Sequence, residues 1–149
     1  MEKREKERNA RMGERRALRL LAQYPSRCSA WLCASILVAE EYPALSRTME
    51  EMAEREGKQF RALGRIMLQK GWNPPLRELI RGGRRYCPVL YSAKERELHS
   101  FLEKMLEEGE VIGKELENLL LICDWAGEDA SLLRNNGARQ MEILKRMLS

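Results

Sequence analysis

Residues 49–71 read MEEMAEREGKQFRALGRIMLQKG, and with Leu45 just upstream they decide the fold. Taken at alternating steps of four and three, the stretch gives Leu45, Met49, Met52, Glu56, Gln59, Leu63 and Ile66. That is the seam of a helix that faces partner helices in a bundle. Glu56 and Gln59 are its two polar members, three residues apart on one face. A carboxylate and an amide taken out of water cost several kcal/mol unless each finds a partner. Something inside the bundle must meet them.

The rest of the composition agrees with an all-α chain. At 149 residues there is enough for one domain, large enough to bury about two thirds of its unfolded surface. Leu, Glu, Arg, Lys, Ala and Met are abundant, β-branched residues are scarce and aromatics are 6%, a helical profile. The formal charge of +4 is uneven, because the first sixteen residues hold seven Lys/Arg against four Glu. The nearly neutral remainder argues against a nucleic-acid-binding body. Cys28, Cys33, Cys87 and Cys123 form no Cys-x-x-Cys pair, and His99 is the one histidine, so a Cys/His zinc site is not indicated. The longest largely apolar run, Ala30 to Ala39, is ten residues, too short for a bilayer. A cytoplasmic, reducing setting without membrane contact is expected, with cysteines packed as small apolar residues.

Residues 1–16 read as a charged, solvent-exposed extension, and 17–149 as the bundle. The first helix is expected from about Arg15 to Glu41, through Leu18, Leu21, Ala22, Cys28, Trp31, Leu32, Ser35, Val38 and Ala39, with Pro25 bending it near Tyr24. Tyr42-Pro43 makes a short link. The second helix runs from Pro43 to Lys70 and is closed by Gly71. Residues 72–92 differ in kind, with five prolines and glycines and at most two helical turns around Leu76 to Arg81. The third helix begins near Ser92, with Glu95 completing a capping box, and continues to Asp124 through Leu98, Leu102, Met105, Gly109, Ile112, Leu116, Leu119 and Cys123. A fourth runs from Ala130 to the end. Two short links around one long one point to a four-helix bundle with one long crossover between the second and third helices.

The second and fourth helices echo each other. Glu56-Gly-Lys-Gln59-Phe-Arg-Ala-Leu63 aligns with Gly137-Ala-Arg-Gln140-Met-Glu-Ile-Leu144. In each a glutamine sits four residues before a core leucine.

On these stretches, and on Leu21-Ala22-Gln23-Tyr24, Glu41-Tyr42-Pro43-Ala44-Leu45 and Leu106-Glu107-Glu108-Gly109-Glu110, the chain resembles the ferritin-like superfamily, in particular its rubrerythrin-type bacterial members. The resemblance implies a site where that family holds two metals with four carboxylates and two histidines. Here its positions fall on Gln23, on Glu56 and Gln59, on Glu110, and on Gly137 and Gln140. His99 lies about 16 Å from Glu110 at about 1.5 Å per helical residue, too far to join. Glu56, Gln59, Glu110 and Gln140 are therefore candidates for a vestigial metal site.

Such a set could offer oxygens to one hard cation such as Mg²⁺ or Ca²⁺, yet it lacks the donors that hold two irons or manganeses. It can also satisfy itself without an ion, since glutamine both donates and accepts. On that last reading Glu56→Leu is expected to be neutral or stabilising. The resemblance then implies a non-catalytic structural or interaction protein of a bacterial assembly, with a second copy or another protein as partner. The alternative is an iron- or manganese-binding oxidoreductase of the same superfamily with an altered ligand set. The basic patch Arg77, Arg81, Arg84 and Arg85 reads as a solvated loop, and Cys87 has no activating base near it in sequence.

Overall fold

The computed structural model describes residues 2–81 and 87–149, apart from the side chain of Asn9. Among the described residues the chain is all-α: α1 (Glu2–Leu21), α2 (Gln23–Val38), α3 (Pro43–Gln69), the short α4 (Leu76–Arg81), α5 (Glu95–Cys123) and α6 (Glu128–Leu148). None of these helices is long and apolar enough to cross a membrane.

The first expected helix is divided in two and starts earlier than expected. Pro25 has no N–H to give the Leu21 carbonyl, and the helix is interrupted at Ala22. Ala22 keeps helical angles (φ −66°, ψ −20°) and donates to Leu18 O at 3.1 Å, so α1 passes into α2 almost directly. The charged N-terminal residues are helical from Glu2, exposed over 2–8 and 10–12, and enter the packing at Gly13. At the far end of α3, Gly71 takes φ +80°. Its N–H bonds Leu68 O at 3.0 Å and that of Trp72 bonds Met67 O at 2.9 Å, which closes the helix with a left-handed glycine as the sequence indicates. Ser92 does not cap α5. It bonds the Glu97 side chain instead, and the helix starts three residues later at Glu95.

Side-chain contacts give the helix directions. α2 and α3 are antiparallel: Ser46 Oγ donates to Ser35 O near their link, and Arg27 meets Glu56 further along. α3 and α6 are antiparallel through Arg65–Asp129 and Gln140–Glu56. α5 runs against α1 and α2, with Arg16 beside Glu115, Arg27 beside Glu108 and Trp31 edge-on to Phe101. Gly109 beside Met141, and Glu117 beside Arg134, set α5 antiparallel to α6. So α3 and α5 point the same way. Trp72, Leu76 and Leu79 pack against one half of the core and Leu90 belongs to the other. Of the basic patch, Arg77 and Arg81 are exposed, while Arg84, Arg85 and Gly82-Gly83 lie outside the described residues.

The core has two halves. One gathers Leu21, Tyr24, Leu63, Ile66, Leu119 and Leu133; the other gathers Trp31, Met49, Met52, Leu102, Met105 and Leu144. The α3 seam is as read from the sequence: Met49, Met52, Glu56, Gln59, Leu63 and Ile66 are buried and Leu45 half-buried. On α2 the expected face shifts. Leu32 and Ala39 are exposed, and Arg27, Trp31, Ala34, Ser35 and Val38 turn inward.

Two glycines report on this packing differently. A Cβ on Gly57, inside α3, would meet nothing within 4 Å, whereas one on Gly13 would lie 2.8 Å from Cys123 Sγ. In chemical denaturation Gly57→Ala should gain about 0.5–1 kcal/mol from helix propensity alone. Gly13→Ala should show no such gain, because the new methyl must first displace the Cys123 thiol.

Candidate functional site

The only charged residue of α2 is Arg27, and it is 3% exposed. Its guanidinium is gripped along its length. Nε donates to Glu56 Oε1 at 3.0 Å, Nη1 to Glu108 Oε1 at 3.1 Å and Nη2 to the Met105 carbonyl at 3.2 Å. Glu56 is itself 2% exposed, and its Oε1 also accepts from Gln140 Nε2 at 2.9 Å. One turn along α3, Gln59 Nε2 donates to Leu133 O and Gln59 Oε1 accepts from Asn136 Nδ2, each at 3.0 Å. Asn136 also donates to Arg55 O and accepts from Arg55 Nη1, both at 2.9 Å. A polar layer thus crosses the bundle between the two halves of the core and ties α2, α3, α5 and α6 together.

Small residues make the room. A Cβ on Gly109 would lie 3.3 Å from Arg27 Nη2, and one on Gly137 3.2 Å from Gln59 Nε2. Helical spacing does the rest: Tyr24, Arg27 and Trp31 share the inward stripe of α2.

Burial opposes the Arg27 cation, but Glu56 and Glu108 outweigh it and raise the pKa, so the guanidinium stays charged. Burial pushes the Glu56 carboxyl above its ordinary value, with Arg27, Gln140 and the Trp31 indole holding it down in part. The Trp31 N–H faces that carboxylate without reaching a hydrogen bond of ordinary geometry, and the Tyr24 hydroxyl has no partner among the described residues. Three of the thiols are passive. Burial first, and Glu108 second, push Cys87 up to about 12, and burial raises Cys28 and Cys123 as well, so these three are not activated nucleophiles. His99 is exposed and paired with Glu103.

Of the four residues singled out from the sequence, Glu56, Gln59 and Gln140 converge here, with the α3 pair turned toward α6. Glu110 does not; it is exposed on the outside of α5. The inward seam of that helix runs through Met105, Gly109 and Ile112, and one residue past Gly109 lies about 100° further round. Glu108, on the other flank of Gly109, supplies the α5 carboxylate instead. Gln23 is half-buried outside the layer, and Tyr24 and Arg27 hold the α2 positions. Among the described residues no three His, Cys, Asp or Glu side chains converge as metal ligands.

Sequence reasoning missed Arg27 and Asn136. A lone charge in a sixteen-residue helix was the signal for the first; Asn136, four residues before Gln140 on the same face, was the signal for the second. Arg27 also reverses one expectation. Glu56→Leu should now be destabilising, because it leaves the buried Arg27 cation with Glu108 and the Met105 carbonyl alone. Its cost should be about 1–3 kcal/mol in denaturant unfolding, and Arg27→Met combined with Glu56→Leu should return most of that loss.

The raised Glu56 pKa fixes the sign of a pH effect. The folded chain holds this proton more tightly than the unfolded chain. The resulting stability is complete below the unfolded carboxyl pKa of about 4.3 and is lost as pH rises through the folded value. Relative to Glu56→Gln, wild type should therefore lose stability as pH climbs from about 4 and level off above the folded pKa. Urea titrations of both proteins across that range measure it, and a relative gain with rising pH would refute it.

Comparisons with protein families, with characterised proteins and with solved structures give no match to this chain.

Proposed function

We propose that the chain is a ferritin-like four-helix bundle, with α1–α2 as one rod and α3, α5 and α6 as the others, and that it serves a structural or protein-interaction role in a bacterial assembly. Catalysis is not part of this reading. The observation that carries it is Arg27. Where the resembling family gathers carboxylates around metal cations, here the cation belongs to the chain and already occupies Glu56 and Glu108. Gln59 and Gln140 both turn their amide nitrogens to donate. That donor set does not fit iron or manganese: one fully buried carboxylate, carboxamides and a fixed positive charge would repel the ion rather than chelate it. The alternative, a metal-dependent oxidoreductase, would need a second cation beside the first, and no cofactor is proposed.

The interaction role rests on the other side of α2. Opposite its buried stripe, Leu32, Cys33, Ile36 and Leu37 are exposed, Ile36 at 77%, and Val89 lies alongside Cys33. A helix apolar on both faces is one that is covered on both faces. A second copy or another protein supplies that cover, in a cytoplasmic setting where the four cysteines stay free.

Protein purified with iron and manganese in the medium should carry no stoichiometric metal by elemental analysis. In sedimentation it should self-associate, and Ile36→Glu should be folded and monomeric. A stoichiometric metal that disappears in Glu56→Ala would overturn the reading.

A further inference from the structure

Beside the polar layer lies a cavity of about 180 Å³. Its lining combines the polar side chains of Tyr24, Arg27, Glu56 and Gln140 with the apolar ones of Leu116 and Leu133. It reaches the surface between α5 and α6, where half-buried Gly113 and exposed Ala138 leave the gap unfilled. A Cβ on Gly113 would meet nothing within 4 Å.

Tyr24 gives this space chemical direction. The residue is 2% exposed, it lines the cavity, and its hydroxyl has no hydrogen-bond partner among the described residues. The hydroxyl feels both Glu56 and Arg27, and burial raises its pKa, so it is a neutral donor. An orphaned buried hydroxyl is destabilising, and a ligand oxygen would relieve it. Size limits the ligand, since an apolar cavity of about 150 Å³ takes one benzene ring. Charge limits it too, because Arg27 and Glu56 already compensate each other, and an ion entering would lose its hydration for no free counter-charge.

We propose that this cavity binds a small neutral single-ring compound bearing one hydroxyl, its ring against Leu116 and Leu133 and its oxygen accepting from the Tyr24 hydroxyl. This goes beyond the interaction role and does not depend on it.

Calorimetric titration with phenol, and with toluene as the ring lacking the oxygen, tests it. Wild type should bind phenol saturably and about tenfold more tightly than toluene, the worth of one hydrogen bond. Tyr24→Phe should erase that preference while still binding toluene. Gly113→Leu, which fills the gap and removes a helix glycine, should abolish binding of both with the helical circular dichroism retained. The absence of saturable phenol binding to folded wild type, as for a cavity filled by water alone, would overturn the proposal. So would a phenol preference that survives in Tyr24→Phe.

Discussion

The Arg27–Glu56 pair is the constraint on which the packing turns. Each charge, taken from water into the interior, carries a desolvation penalty of several kcal/mol, and attraction offsets this only when the remaining hydrogen-bonding groups are also met. Here they are met from two further helices: Glu108 and the Met105 carbonyl on α5 accept from Arg27, and Gln140 on α6 donates to Glu56. Leucine and methionine surfaces on either side of this layer could slide past one another by a residue at modest cost. The polar layer could not, because one step in any helix would leave a charge or an amide unpaired. Apolar burial supplies the drive to pack, and the layer sets the register.

The glycines belong to the same constraint. Gly109 and Gly137 stand inside long helices, where glycine costs about 1 kcal/mol relative to alanine. Each lies against one member of the layer, the guanidinium for Gly109 and the Gln59 amide for Gly137. Backbone preference has yielded to the volume these polar groups need. Helix propensity, core packing and electrostatics are coupled at the same few positions.

This coupling explains which parts of the molecule were legible in the sequence. Periodicity fixed the α3 seam, since its apolar positions flank Glu56 and Gln59 without a break, and that alone required a buried polar layer. The glycine and the two prolines after α3 marked its end. Periodicity failed on α2 because Pro25 resets the helix at Ala22, just upstream of Arg27. Whether residue 27 or 28 turns inward depends on that reset, which composition does not encode. On α5 the seam itself, through Gly109, already placed Glu110 off the inward face; the family resemblance pulled the reading one position too far. The capping box at Ser92 failed for a local reason, the competing Glu97 carboxylate. The Tyr24 hydroxyl and the cavity beside it depend on how four helices leave space between them. No single stretch of chain carries that information.

A cation built into the chain differs from a bound one in what it makes possible. A metal-held bundle has a stability that varies with metal supply and pH, because ligands must first be deprotonated. A guanidinium is charged at every physiological pH and cannot be chelated away or change oxidation state. The α2 helix bearing it therefore has a fixed orientation, and its outer face, Leu32, Cys33, Ile36 and Leu37, is presented in one geometry. An apolar surface is useful for specific docking only when its shape is constant, since ordering a mobile face on binding costs about 0.5–1.5 kcal/mol for each side chain immobilised. On the proposed interaction role, the buried charge on one side of α2 and the exposed apolar stripe on the other are two parts of one arrangement: the first holds the helix still, and the second needs it held.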